Sequence, residues 1–253
     1  MAFGQIEALE HEDVRLAYER IAGAQPTFVW LGGFNSDMAG TKAQTLAAWA
    51  HERGQALVRF DYSGHGQSGG RFEDGSISRW LGDTLSVLDR ITDGPLVLVG
   101  SSMGGWLALR AAEERPMRVA GLLLIAPAAD FTERLMWPGF TPEQQQMLMS
   151  QGRLELPSAY APTPTIITRE MIEDGRKHLI MDAPIAFGGP IHILQGGQDP
   201  DVPAEHVRAL AELMAAAKLT MQVISDGDHR LSRPQDLAML VDAAAGLRSA
   251  LAC

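Results

Sequence analysis

The sequence predicts an α/β fold, a mostly parallel sheet covered by helices on both faces, and three observations carry that prediction. Short apolar or β-branched runs alternate with longer amphipathic stretches along most of the 253 residues. The runs are near-continuously apolar, as strands buried on both faces require. The alternation breaks once, over residues 128–189, in a segment that carries many of the prolines and methionines. The expected organisation is a single domain over 1–253, with 128–189 forming a helical lid inserted between two sheet strands.

The elements follow in order. TFVWLG is the first strand assigned, TKAQTLAAWAHERG a helix, QALVRFDY a strand, ISRWLGDTLSVLDRI a helix, PLVLVG a strand and MGGWLALRAAEERP a helix. VAGLLLIAP continues the sheet before the break. After it come IHILQGG, the helix PAEHVRALAELMAAA, the strand TMQVIS and a last helix over Pro234–Leu251. The segment 128–189 reads as short helices and loops.

Composition excludes several function classes. A formal charge of -10 and a pI near 5.1 oppose general affinity for nucleic acid or anionic lipid. No apolar run reaches the ~18–20 residues of a membrane span. The single cysteine, Cys253, permits neither an internal disulfide nor a cysteine-based metal site. The acidic, charge-interrupted first twenty residues read as neither a secretory signal nor a transit sequence. Together these lead to an expected cytoplasmic protein with no cofactor and no metal; oligomeric state is not readable.

Chemistry concentrates in VLVGSSMGGW. Gly100, Ser102 and Gly104 match G-x-S-x-G between a predicted strand and a predicted helix, the setting a nucleophile elbow needs. Ser101 fails the pattern because Val99 stands where its first glycine belongs. A serine hydroxyl needs a base and an acid that orients it, later in the chain in the order Ser, Asp, His. Asp199 follows the strand IHILQGG and His229 follows TMQVIS, so three loops can converge at one sheet edge. Asp201 or Asp228 could replace Asp199 by a small shift of register. Acyl transfer also needs donors for a tetrahedral oxyanion; Met103, after the serine, and Phe34, in the turn Gly32-Gly33-Phe34, would supply backbone N–H groups. A dinucleotide cradle is disfavoured because GGFNSDMAG lacks G-x-G-x-x-G spacing. His65, in SGHGQSGG, falls near the site mouth without an assigned catalytic part.

On these residues the chain resembles the α/β-hydrolase superfamily. GTKA (40–43), RFDYSGHGQS (59–68), GSSMGGW (100–106), LPSAY (156–160) and DHR (228–230) are more narrowly similar to the mitochondrial palmitoyl-protein thioesterase and mycophenolic acid acyl-glucuronide esterase subfamily. That resemblance implies the α/β-hydrolase fold, a Ser102–Asp199–His229 triad, and hydrolysis of acyl esters or thioesters, the acyl carrier being a small molecule or a protein. GGF departs from the proline-glycine-aromatic turn familiar in that subfamily. An acyltransferase, or a non-catalytic ligand-binding protein on the same fold, are the alternatives.

Within the lid, Leu135, Met136, Trp137, Phe140, Met147, Leu148 and Met149 form an apolar set, of which Trp137, Phe140 and Met147 are the candidates to line an acyl pocket. Packing of the lid onto the sheet accounts for the same residues. Arg169, Arg176, Lys177 and His178 could meet a substrate carboxylate or form a solvated helix face.

Overall fold

The computed structural model describes residues 4–157, 164–214 and 218–252. Residues 158–160 of the LPSAY stretch, 215–217 at the end of PAEHVRALAELMAAA, and Cys253 lie outside the described residues.

The chain opens with a hairpin the sequence reading did not assign, β1 (Ile6–His11) and β2 (Val14–Ile21). β2 joins the sheet beside β4 (Gln55–Phe60) in antiparallel register, Tyr18 facing Phe60. Its charges concealed it. Glu19 is fully buried, and it is satisfied by Arg59 on β4, forty positions away, an ion pair no local pattern announces.

The remaining sheet follows the predicted alternation: β3 (Ala24–Leu31), α1 (Thr41–Glu52), β4, α2 (Ile77–Ile91), β5 (Leu96–Ser101), α3 (Met103–Glu114) and β6 (Val119–Ile125). After the insertion come the last sheet strands and helices. The elements of the insertion are α4 (Trp137–Gly139), α5 (Pro142–Gln151), β7 (Arg153–Leu156), β8 (Thr165–Thr168) and α6 (Arg169–Gly175). β9 (Ile191–Gly196), α7 (Ala204–Leu213), β10 (Leu219–Ile224) and α8 (Pro234–Leu251) complete the chain.

The eight-stranded sheet has the order β1-β2-β4-β3-β5-β6-β9-β10, parallel from β4 to β10. Strand residues alternate between two cores. Val29, Leu31, Leu98 and Leu122 pack with Trp80 of α2 and Trp106 of α3. Phe28, Trp30, Val97 and Leu123 pack on the opposite face with Leu46 of α1 and Leu240 of α8. Helices on both faces leave the strand ends as the place where loops can gather. The order reverses at β3, whose chain leaves toward β4 and later returns on its other side as β5. A crevice forms at such a switch point, at the carboxyl ends of the strands.

The insertion between β6 and β9 is less purely helical than the sequence suggests. Besides a π-helical turn (Thr132–Met136) and short helices, it holds the antiparallel hairpin β7–β8, with Leu154 opposite Ile167. One contact closes the insertion on itself and two pin it to the body. Asp130, fully buried, accepts the Ile180 N–H at 2.9 Å and the Met181 N–H at 2.9 Å, closing the two ends of the insertion on each other. Asp174 accepts from the Ser78 N–H and hydroxyl at the start of α2, each at 2.7 Å. Trp106 Nε1 of α3 donates to the His178 carbonyl at 3.1 Å.

Candidate active site

β5 delivers Ser102 at its carboxyl end and α3 begins at the next residue. The backbone there is strained: Ser102 sits at φ 55°, ψ -119°, a region L-residues seldom occupy. The turn is held by Ser102 N–H to the Ile125 carbonyl at 2.9 Å and by Gly105 N–H to the Ser102 carbonyl at 2.8 Å. Both flanking glycines are sterically required. A Cβ on Gly100 would lie 2.3 Å from the Gly104 carbonyl oxygen, and one on Gly104 would lie 2.1 Å from that of Leu31.

β9 and β10 place the other two groups at the same edge. His229 Nε2 is 3.1 Å from Ser102 Oγ, and its Nδ1 is 2.8 Å from Asp199 Oδ2. The Asp199 side chain is fully buried; its Oδ1 accepts the Asp201 and Val202 N–H groups at 2.9 and 2.8 Å. A carboxylate so anchored has one oxygen left to orient an imidazole. Of the register alternatives, Asp228 instead accepts the Leu231 N–H at 2.9 Å and shapes the turn carrying His229. Ligand atoms of Asp199, Asp201 and His229 lie within 4.8 Å of one another, a spacing a cation could use. Both Asp199 oxygens, however, already accept hydrogen bonds, Oδ2 from the imidazole and Oδ1 from the turn.

The turn after β3 adjoins the serine. A Cβ built on Gly33 would meet Ser102 Cβ at 3.4 Å, so the backbone of Gly33 and Phe34 runs beside the hydroxyl. Met103 opens α3, where the first N–H groups have no partner within the helix. These are the two amides the sequence singles out.

A cleft of about 630 Å³ opens over these groups. Its lining includes the apolar Phe34, Phe131, Leu135 and Met136 and the polar Asn35, Ser36, Lys42 and Arg230. Lys42 donates from Nζ to the Arg230 carbonyl, tying α1 to the His229 loop, and burial lowers its pKa to about 8.

Of the candidate acyl-pocket residues, Trp137, Phe140 and Met147 do not border this cleft. Phe140 is buried and packs edge-on to Trp137, and Met147 is exposed; the neighbouring Leu135 and Met136, together with Ala128, Phe131 and Thr165, are the insertion residues that line it. The four basic candidates also lie off it. Arg176 pairs with Glu133 at 2.7 Å, Lys177 with Asp174 at 3.2 Å, and His178 Nε2 lies 2.7 Å from the Ser78 hydroxyl. Arg169 donates to the Met149 carbonyl. Phe131 and Lys42 border the cleft without a part assigned in the sequence reading. Lys42 lies in GTKA, one of the stretches that carry the family resemblance, and membership of that stretch is its signal in the sequence.

Comparison with known proteins gives a consistent placement. A family model described as Hydrolase_4, serine aminopeptidase S33, matches residues 26–172. The mouse mitochondrial palmitoyl-protein thioesterase ABHD10 is 34% identical over 227 residues, covering 89% of this chain and 76% of its own. The structure of mouse alpha/beta hydrolase domain-containing protein 10 superimposes with a TM-score of 0.90 at 32% identity, covering 98% of this chain and 100% of that one. A putative hydrolase from Agrobacterium vitis S4 gives a TM-score of 0.92 at 44% identity, covering 96% and 98%. The expected cytoplasmic location is corrected by these relatives, whose names point to a mitochondrial rather than a cytoplasmic setting. A low cysteine count suits any reducing compartment and cannot separate the two. The acidic early residues that weighed against a transit sequence are the strands β1 and β2.

Proposed function

Because the chain belongs to the α/β-hydrolase family, with mitochondrial palmitoyl-protein thioesterases among its relatives, we propose that it hydrolyses carboxylic esters or thioesters through an acyl-enzyme on Ser102. The observation that carries this reading is the unbroken path Ser102 Oγ, His229, Asp199, with spacings of 3.1 and 2.8 Å, on three loops at one sheet edge.

In this scheme His229 Nε2 takes the Ser102 proton as Oγ bonds to the acyl carbon. Asp199 accepts the Nδ1–H, fixing the tautomer and stabilising the imidazolium. The N–H groups of Phe34 and Met103 hold the oxyanion. The tetrahedral adduct then expels the alcohol or thiol, which takes the proton from His229, and a water activated by the same imidazole releases the acid.

The insertion 128–189 is the cap of the site. Leu135 and Met136, with Phe34 and Phe131, supply apolar lining suited to an acyl chain, while the polar residues of the cleft take the leaving group. Acyl thioesters, including acylated protein, and acyl glucuronides are the substrate classes to compare.

A fluorophosphonate probe tests the scheme. Wild type is expected to label and Ser102→Ala not to, with turnover of a p-nitrophenyl ester falling on the order of 10⁶-fold. Equal labelling of both, or of neither, would sink the assignment. Activity confined to acetyl esters in a chain-length series would remove the acyl-chain lining from the reading.

A further inference from the structure

His65 is buried directly behind the turn that carries Phe34, yet the hydrolytic scheme gives it nothing to do. Only 4% exposed, it stands edge-on to Tyr62, Phe72 and Trp80, with ring centroids 5.6, 5.2 and 5.3 Å away. Phe34 packs on the same Phe72 and Trp80 rings, at 5.0 and 5.9 Å. The two ring nitrogens of His65 have different neighbours. Nδ1 lies 3.1 Å from the Ser63 carbonyl oxygen, whereas Nε2 lies 3.3 Å from the Asn35 backbone nitrogen.

A carbonyl only accepts and an amide N–H only donates, so both contacts are made by one form alone, the neutral ring with its proton on Nδ1. Burial among the aromatic rings favours that neutral form by lowering the pKa below the usual histidine value. Asp37, in the same loop as Asn35, acts in the opposite sense. On the far side, Asp83 and Arg79 of α2 engage the Ser63 hydroxyl rather than the His65 ring: that hydroxyl donates to Asp83 and accepts from Arg79 Nε.

What the Nε2 contact holds is a strained turn. Asn35 is at φ 54°, in the left-handed region. The turn is closed by Ser36 N–H and Ser36 Oγ, both donating to the Gly33 carbonyl at 3.2 and 2.8 Å. Those bonds fix the ends of the turn and leave its central peptide, Phe34–Asn35, to be set by whatever accepts the Asn35 N–H. The Gly33 carbonyl and the Phe34 N–H share one planar peptide, which the two Ser36 bonds orient. Rotation of the central peptide displaces Ser36, lengthens those bonds and so frees the N–H offered to the oxyanion.

We propose that His65 is a positioning residue for the oxyanion hole: by accepting the Asn35 N–H it locks the central peptide of the turn and aims the Phe34 N–H at the substrate oxygen. The inference rests on the oxyanion role given to Phe34 under the proposed function.

The test compares His65→Phe, which keeps the aromatic packing and removes the acceptor, with His65→Gln, whose amide oxygen reaches the former Nε2 position. An alkyl trifluoromethyl ketone, which forms a tetrahedral oxyanion adduct with the serine, is set beside the corresponding methyl ketone, which binds only as a ground-state analogue. His65→Phe is expected to lower kcat on a p-nitrophenyl ester by roughly 10- to 100-fold, below the loss for deleting a donor outright. KM and methyl ketone binding stay near wild type, the trifluoromethyl ketone weakens by a factor like that in kcat, and His65→Gln recovers most of the loss. Unchanged kcat in His65→Phe, or equal weakening of both ketones, overturns the proposal. Should His65→Phe fail to fold, His65→Asn, too short to reach Asn35, takes its place with the same expectations. Fluorophosphonate labelling of wild type separates the two levels: no labelling means the hydrolase scheme has failed, whereas normal labelling with an unaltered His65 variant rejects the positioning role alone.

Discussion

Gly104 and Gly139 stand in two regions built on different terms. At the sheet edge, a Cβ on Gly104 would collide with backbone, 2.1 Å from the Leu31 carbonyl oxygen and 2.5 Å from that of Gly32. In the insertion, a Cβ on Gly139 meets nothing within 4 Å. The sheet edge is determined by main chain pressing on main chain, which few residue types can satisfy. The insertion is crowded only locally, as at Gly175, where a Cβ would lie 2.3 Å from Thr132 Oγ1, and at Gly189, 2.3 Å from the Ala120 carbonyl oxygen. Around Gly139 it is open, and many residue types could stand there. The difference predicts where change is tolerated and where it is not.

The largest expected effect follows from that crowding. Gly104→Ala has to push apart the serine turn and the chain leading into the turn that carries Phe34, because the added Cβ projects from the first into the Leu31 and Gly32 carbonyl groups of the second. A cost of ~3 kcal/mol in stability, as for severe overpacking, is expected, together with loss of fluorophosphonate labelling. Gly139→Ala should leave both within error. If the two substitutions behave alike in thermal melts and labelling, the contrast between the regions is wrong.

The same contrast explains what was legible in the sequence. Ser102, Gly100 and Gly104 could be located because a strained strand-to-helix turn admits only small flanking residues, so geometry leaves a mark in neighbouring letters. Asp199 and His229 could be found because each follows an apolar strand, and parallel strands put their carboxyl ends together. The β1–β2 hairpin was missed because Glu19 is made tolerable in a buried strand by Arg59, whose location only folding reveals. The β7–β8 hairpin was missed for a related reason. RLEL and TIIT are four-residue strands, their pairing depends on a shared register across a proline-bearing stretch, and short strands carry little periodicity of their own. His65 was seen as near the site, but its contact with the Asn35 N–H depends on two loops meeting, which no spacing within SGHGQSGG encodes.

A middle-sized effect should come from the contact that closes the insertion on itself. Asp130 accepts the Ile180 and Met181 N–H groups from a fully buried position at φ 55°, a conformation asparagine tolerates better than alanine. Asp130→Ala strands those donors and should cost about 2 kcal/mol, a fall in Tm of roughly 4–8 °C for a chain of this size. Asp130→Asn should cost less. With the insertion as a cap, KM for long-chain esters rises while kcat for a short ester stays near wild type. An equal loss of kcat on both would mean that the insertion also holds the reacting groups in place, which would break the division drawn here.

The smallest effect concerns the seam where α1 meets the His229 loop. Lys42 keeps its ammonium at an interface that partly excludes water, and burial lowers its pKa from 10.5 to about 8. Below about pH 8 the group is charged in both folded and unfolded chains, and the folded state bears the desolvation cost in full. Between about 8 and 10.5 the unfolded chain binds more protons than the folded one, so this group's contribution to stability rises with pH. Lys42→Met removes the charge, and its stability relative to wild type should therefore be greatest near pH 7 and decline as pH is raised toward 10. Urea unfolding at the two pH values measures the difference directly. A gap that stays constant would mean that the Lys42 ammonium is solvated in the folded chain and that the seam is wetter than its contacts imply. A gap that widens would mean that the charged form, through its bond to the Arg230 carbonyl, stabilises the loop by more than its burial costs.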